Sequence, residues 1–244
     1  MHDERAARVN APLADRLALV TGGSRGIGLA TARVLRRAGA NVLLVARTGE
    51  TLEPAAREVG GHAVVADVSD PESVDRLRMR VDAEFGVPDV IVNAAGSFAL
   101  APVAETEIGT FDEQVAVNLR GPFLVMRAFL PAMLARRAGT IVSIGSIAGR
   151  HAFPSNGAYS AAKFGLRGLH AVLDHELRGT GVRAVLIEPA ATDTQLWDRI
   201  DRAANPGLPA PEMMLDAAEV ADAVLYAVTR PATVAIHNVI LERS

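Results

Sequence analysis

Apolar residues gather in short, nearly unbroken blocks along this chain, and between the blocks they recur every three or four positions. The blocks Leu17–Thr21, Asn41–Ala46, His62–Ala66, Val90–Asn93, Thr140–Ile144, Arg183–Glu188 and Val234–Leu241 read as strands. Several lack polar alternation, which marks strands covered on both faces, as in a parallel sheet between helical layers. The intervening stretches read as helices over Ile27–Ala38, Glu50–Val59, Pro71–Phe85, Phe111–Arg137, Ala158–Arg178 and Asp216–Thr229. Their ends carry helix punctuation. Gly39 and Gly60 follow two of them, and Ser69 and Asp70 offer N-caps just before Pro71. Pro122 and Pro131 mark a break or kink inside the longest.

Strand and helix alternate throughout. That order predicts an α/β fold, a single-domain Rossmann-type doubly wound parallel sheet of about seven strands with helices on both faces. Residues 15–244 make up this domain, and the polar, charged residues 1–14 read as a flexible tail. One stretch stands apart. Ala190–Leu215 is interrupted by Pro206, Pro209 and Pro211 and follows the carboxyl end of a strand. Loops at that end line the ligand crevice of open α/β sheets.

Composition narrows the function. The chain has 244 residues, and 25 Lys and Arg against 28 Asp and Glu give a net charge of −3. Such a balance supplies no bulk attraction to nucleic acid or to an anionic membrane. The absence of cysteine excludes disulfides and thiolate metal sites. The six histidines show no HxxxH or HxH spacing, so no metal is expected. No apolar run approaches the ~20 residues of a membrane-spanning helix. The first dozen residues lack the apolar core of a secretory signal, and the chain reads as cytoplasmic.

Two local patterns carry candidate chemistry. TGGSRGIG, residues 21–28, lies where the first strand turns into the first helix. Gly22, Gly26 and Gly28 permit a tight turn and close approach of the backbone to a pyrophosphate, and the helix start offers N–H groups to phosphate. The second pattern is YSAAK. Tyr159 and Lys163 are four residues apart, hence on one helix face, with Ser146 upstream at a strand end. A phenol of pKa ~10 exchanges protons poorly near neutrality. A neighbouring ammonium is expected to lower that value and make Tyr159 a usable acid. The Ser146 hydroxyl can stabilise charge on a carbonyl oxygen.

The G-x-x-x-G-x-G spacing of the turn, NAAG at residues 93–96, VNLRG around Asn118, Ser146 and YSAAK together resemble the short-chain dehydrogenase/reductase family in order and spacing, over residues ~16–241. The resemblance implies catalytic roles for Asn118, Ser146, Tyr159 and Lys163. Asn118 would complete a water-linked proton relay with Lys163, and Lys163 would also hold the nicotinamide ribose. Ser143, inside the strand, does not match the family position. The resemblance also implies cofactor contacts from Gly22, Ser24, Arg25, Gly26, Ile27 and Gly28, and from Asp67 and Val68 at the adenine. Asn93, Ala94 and Gly96 would lie beside the adenosine ribose, and Pro189, Thr192 and Thr194 near the carboxamide. Ala190 stands where the family usually has glycine.

No acidic residue comes just past the second strand until Glu50, although an acid there would hydrogen-bond the ribose hydroxyls of NAD. Arg47 stands there instead, and with Arg25 it suits the extra phosphate of NADP(H), so NAD(H) is the less favoured cofactor. The chain therefore reads as an NADP(H)-dependent oxidoreductase acting on an alcohol/carbonyl pair of a small or medium organic molecule. Leu196, Trp197, Phe98, Phe153, Met213 and Met214 are candidates to line its pocket. A homo-oligomer, dimer or tetramer, is expected through the two long helices ending near Arg137 and Arg178. The alternatives are a catalytically idle dinucleotide sensor or scaffold, which would typically lose Tyr159 or Lys163, and a methyltransferase, which needs neither.

Overall fold

The computed structural model describes residues 11–203 and 205–244. Among them, seven strands form one parallel sheet: β1 (Leu17–Thr21), β2 (Asn41–Ala46), β3 (His62–Val65), β4 (Val90–Asn93), β5 (Gly139–Ile144), β6 (Val182–Pro189) and β9 (Asn238–Leu241). The strand order is β3-β2-β1-β4-β5-β6-β9. A separate two-residue ladder joins β7 (Thr192–Asp193) to β8 (Leu215–Asp216). The helices are α1 (Gly26–Arg37), α2 (Gly49–Val59), α3 (Pro71–Glu84), α4 (Ile108–Val115), α5 (Gly121–Arg136), α6 (Gly157–Glu176) and α7 (Ala217–Val228).

The unbroken apolar strands have the double burial that their composition implies. In β1, Ala18 and Val20 pack with Leu35 of α1, Leu52 of α2 and Val220 and Val224 of α7. Leu17 and Leu19 face the other way, with Leu77 of α3, Phe129 and Met133 of α5 and Leu173 of α6. Burying one such large side chain stabilises by about 1.5–3 kcal/mol, so a polar residue at either kind of position would be costly. This is a doubly wound, Rossmann-like α/β domain. The chain runs outward one way from β1 to β2 and β3, then returns to the other side of β1 with β4. That reversal opens a crevice beyond the strand ends. Register aligns those ends, with Thr21 opposite Asn93 and Asn93 opposite Ser143.

Three expectations change. Residues 1–10 of the expected tail lie outside the described residues, but 11–14 pack against the domain. Leu13 is buried, and its N–H donates to the Ala38 carbonyl at 2.9 Å. The long helix over 111–137 starts earlier and is interrupted. Pro122 has no N–H for the Asn118 carbonyl four residues back, and the ladder widens into a π turn over Ala116–Arg120. The Gly121 N–H there reaches the Ala116 carbonyl five residues back, while Pro131 is accommodated inside α5. The last strand begins at Asn238 rather than Val234. Val234 instead closes a turn by donating to Pro231, and its carbonyl accepts from Arg183 at 3.1 Å.

Candidate active site

The Gly-rich turn joins β1 to α1 with Gly22 at φ +67° and Gly26 at φ +53°, both in the left-handed region that favours glycine. Crowding adds to the requirement. A Cβ on Gly22 would lie 2.8 Å from backbone atoms of Ala94 and Ala95, and one on Gly28 would run into the Gly22 carbonyl. Thr21 pins the two loops together, its Oγ1 accepting from the Ala94 and Ala95 amides at 3.1 and 3.2 Å. No side chain caps the start of α1, so its first-turn N–H groups have no side-chain acceptor.

Beside this turn lies a cavity of about 350 Å³ lined by Gly22, Ser24, Arg25, Gly26, Ile27, Gly28, Arg47, Asp67, Val68, Ala94 and Gly96. Eleven residues spread over the first hundred positions thus converge on one space. Arg199, which sequence reasoning passed over, joins Arg25 and Arg47 in the lining, and all three are exposed. Among the described residues, none of the three has a carboxylate partner. Asp67 lines the cavity while also shaping its own turn. Its Oδ1 accepts from the Ser69 amide at 2.8 Å and the Ser69 hydroxyl at 2.7 Å. Asn93 departs from expectation. It is buried outside the lining, and neither atom of its amide has a hydrogen-bond partner.

A second cavity, about 510 Å³, continues from the first, with Ile27, Ala94, Ala95, Gly96, Thr194 and Leu196 lining both. Asn118, Ser146, Tyr159, Lys163, Pro189, Thr192 and Thr194 all reach it. Ser146 leaves β5 in extended conformation and caps a short turn, its Oγ accepting from the Ala148 amide at 3.1 Å. Tyr159 and Lys163 project from the first turns of α6. Lys163 Nζ donates to the Ile144 carbonyl at 2.9 Å and lies 5.4 Å from the Tyr159 ring centroid. Asn118, in the π turn, spends its side chain on the loop after β4. Its Nδ2 donates to the Ser97 and Gln114 carbonyls at 2.9 and 3.0 Å, and its Oδ1 accepts from the Ser97 amide at 3.3 Å.

Electrostatics here runs against the simple expectation. Burial pushes the Tyr159 phenol up to about 12, with the Ser146 hydroxyl beside it pulling the other way. The same burial brings the Lys163 ammonium down to about 8. Desolvation disfavours the charged form of each group, and it outweighs the attraction that their spacing implies. The Ala190 position, usually glycine in the pattern, is not among the residues with positive φ, so alanine stands there without backbone strain. Of the six candidate pocket residues, Phe98, Phe153, Leu196 and Trp197 line the cavity. Met213 and Met214 do not. Met213 is exposed, and Met214 is buried, its carbonyl accepting from Arg243 at 2.9 Å.

The sequence matches the family model described as short chain dehydrogenase over residues 16–205. An uncharacterized oxidoreductase of Staphylococcus aureus (strain MW2) is 34% identical over 93% of this chain and 96% of its own. A ribose-5-phosphate isomerase structure from Brucella melitensis 16M superposes with a TM-score of 0.87 at 33% identity, covering 96% of this chain and 93% of that one. An alcohol dehydrogenase from the archaeon Thermococcus sibiricus, complexed with 5-hydroxy-NADP, has a TM-score of 0.82 at 31% identity, covering 93% and 95%. Among the described residues, no helix is long and apolar enough to cross a membrane.

Proposed function

The chain belongs to the short-chain dehydrogenase family, and from that premise we propose that it transfers a hydride between NADP(H) and an alcohol/carbonyl pair on a small or medium organic substrate. The observation that carries this reading is one continuous cleft. It has a glycine turn pressed against the backbone at one end and Ser146, Tyr159 and Lys163 at the other. The glycine end fits a dinucleotide. Side chains at Gly22 or Gly28 would collide with backbone, and the first-turn amides of α1 are available to a pyrophosphate. Gly22, Ser24, Gly26, Ile27 and Gly28 would hold the phosphates, Asp67 and Val68 the adenine, and Ala94 and Gly96 the ribose beside it. Pro189, Thr192 and Thr194 would flank the nicotinamide.

Arg25, Arg47 and Arg199, without a carboxylate partner among the described residues, give this end of the cleft a positive field, which favours the extra phosphate of NADP(H) over NAD(H). The 5-hydroxy-NADP held by the Thermococcus sibiricus enzyme supports the same cofactor class. The cofactor, when bound, supplies or accepts the hydride. Tyr159 donates a proton to the substrate oxygen in reduction and removes it in oxidation. The Ser146 hydroxyl hydrogen-bonds that oxygen as charge develops on it. Lys163, buried behind the tyrosine ring, stabilises the phenolate that remains. Asn118 positions the Ser97 loop over the cleft and, through its place in the π turn, supports the proton path to Lys163. Exposed Phe111 of α4, Phe123 of α5 and Phe164 of α6 favour a homo-oligomer built on these helices, which a monomeric mass in light scattering would overturn.

Tyr159→Phe tests the central role. Turnover should fall by at least ~10² while NADPH binding, read by nicotinamide fluorescence, persists. Unchanged turnover removes Tyr159 from the chemistry. In the same assay Arg47→Ala should raise the KM for NADPH by ~10-fold and leave that for NADH nearly unchanged, as expected for one lost charge-assisted contact at an exposed site.

A further inference from the structure

The substrate half of the cleft is sharply different in character from the cofactor half, and the difference specifies a substrate class. Three arginines surround the glycine end, whereas Lys163 is the single charged side chain among the described residues lining the larger cavity. Lys163 is already directed to the Ile144 carbonyl. Of the arginines nearby in sequence, Arg199 lines only the cofactor half, and Arg150 and Arg202 lie outside the lining of the larger cavity. Arg150 bonds Glu188 at 2.6 Å, and Arg202 donates to the Pro209 carbonyl at 2.8 Å with its guanidinium 5.5 Å from the Trp197 ring centroid. Among the described residues, the wall of this cavity thus offers no cation besides Lys163 to a carboxylate or phosphate on the substrate. A charge brought into such a wall without a partner is strongly disfavoured.

The wall itself is aromatic and begins at the proton donor. The Phe98 ring lies 4.9 Å from the Tyr159 ring at 78°, edge to face, and 5.0 Å from the Trp197 ring at 65°. Trp197 is fixed from behind by a hydrogen bond from its Nε1 to the Thr192 carbonyl at 2.9 Å. Phe153, Leu196 and Leu208 complete the apolar surface. A carbonyl oxygen placed at Tyr159 and Ser146 would direct one substituent along Phe98 towards Trp197. Flat rings suit that row, since they can meet it in offset or edge-to-face contact.

Resting on the oxidoreductase reading above, the geometry points to an uncharged ketone, or its secondary alcohol, that carries an aromatic or alicyclic ring against Phe98 and Trp197. The reaction moves a hydride to the carbonyl carbon and a proton to its oxygen, with NADPH oxidised to NADP⁺. The reverse holds for the alcohol.

Benzylacetone, acetone and phenylpyruvate make the test, each with NADPH as reductant. The protein should prefer benzylacetone to acetone by ~100-fold in kcat/KM, because the ring is buried. It should prefer benzylacetone to phenylpyruvate, which keeps the ring and adds a carboxylate, by ~10-fold or more. Trp197→Ala should lower kcat/KM for benzylacetone ~10-fold more than it lowers that for acetone. Better use of phenylpyruvate, or of dihydroxyacetone phosphate, overturns the inference and leaves the oxidoreductase reading standing. Trp197 is the only tryptophan in the chain, so its emission reports occupancy without turnover. Benzylacetone should quench it saturably in the presence of NADP⁺. If NADPH itself does not bind, the parent reading fails. If NADPH binds and benzylacetone neither quenches nor reacts, the substrate inference fails.

Discussion

Replacing Lys163 with methionine should make the protein more stable and inactive. Lys163 is 5% exposed, and burial brings its ammonium from 10.5 down to about 8. At about 1.4 kcal/mol per pKa unit, holding the charged form in the fold costs about 3 kcal/mol near neutrality. Methionine keeps a flexible stem of similar length without the charge. It also leaves the Ile144 carbonyl without its 2.9 Å donor, a loss of about 1 kcal/mol. The variant should therefore gain about 2 kcal/mol at pH 7. The advantage must depend on pH. Between about 8 and 10.5 the unfolded chain holds a proton on Lys163 that the folded chain has released. Stability of the parent protein thus rises with pH across that window, and the cost of burying the charge is fully present only below it. The gain should disappear by about pH 10 and turn into the small loss of the hydrogen bond. Tyr159, whose folded value is raised to about 12, works oppositely, since its contribution is present below pH 10 and declines above it. Both proteins contain that tyrosine, so the difference between them isolates Lys163. Urea unfolding of the two at a series of pH values, with the slope m checked for constancy, measures the effect. A variant less stable at pH 7, or a difference that stays flat from pH 7 to 10, would refute the reasoning.

Two further substitutions probe the frame around the cleft. Glu188 on β6 is 1% exposed and binds Arg150 Nε and Asn238 Nδ2, both at 2.6 Å, tying the turn after Ser146 to β9. Glu188→Ala should lose about 3 kcal/mol in urea unfolding, the lower end for a broken buried pair because Arg150 keeps a quarter of its surface in water; a loss below about 1 kcal/mol would show that the pair contributes little. Gly28→Ala forces a methyl into the Gly22 carbonyl and should cost about 2 kcal/mol of stability together with at least ~10-fold in NADPH affinity. Thermal melts with and without NADPH read both, and an unaltered ligand-induced shift in Tm would show that the turn does not touch the cofactor.

Elements fixed by local composition were legible in the chain. The interior strands are legible because both faces are buried, so that every position has to be apolar, as Leu17 to Val20 illustrate. The start of the final strand is not legible for the converse reason. It sits at the sheet edge, where Asn238 and Ile240 are exposed, and apolar content there does not distinguish strand from the turn at Pro231–Val234. The π turn at Ala116–Arg120 was within reach, since Pro122 signalled a break. Only the packing around Asn118 shows that the chain widens its helix rather than ending it. Arg199 had no local signal. It reaches the cofactor end through the path of the proline-rich loop, which no spacing rule describes.

The site divides along the same line between proximity and environment. Four-residue spacing placed Tyr159 and Lys163 on one helix face, and both do line one cavity. It did not give the sign of their pKa shifts, because that sign depends on how much water reaches each group. Attraction between a phenolate and an ammonium lowers the one and raises the other. Here both groups shift the reverse way, because shared desolvation dominates. Asn93 makes the same point through orientation. Its motif brings Ala94 and Gly96 to the cleft, while the pleat at the end of β4 turns Asn93 itself into the interior. Desolvation raises what any stabilising contact is worth inside the cleft. The burial that makes Tyr159 and Lys163 hard to ionise is therefore also what lets the Ser146 hydroxyl and the arriving substrate oxygen act strongly on them.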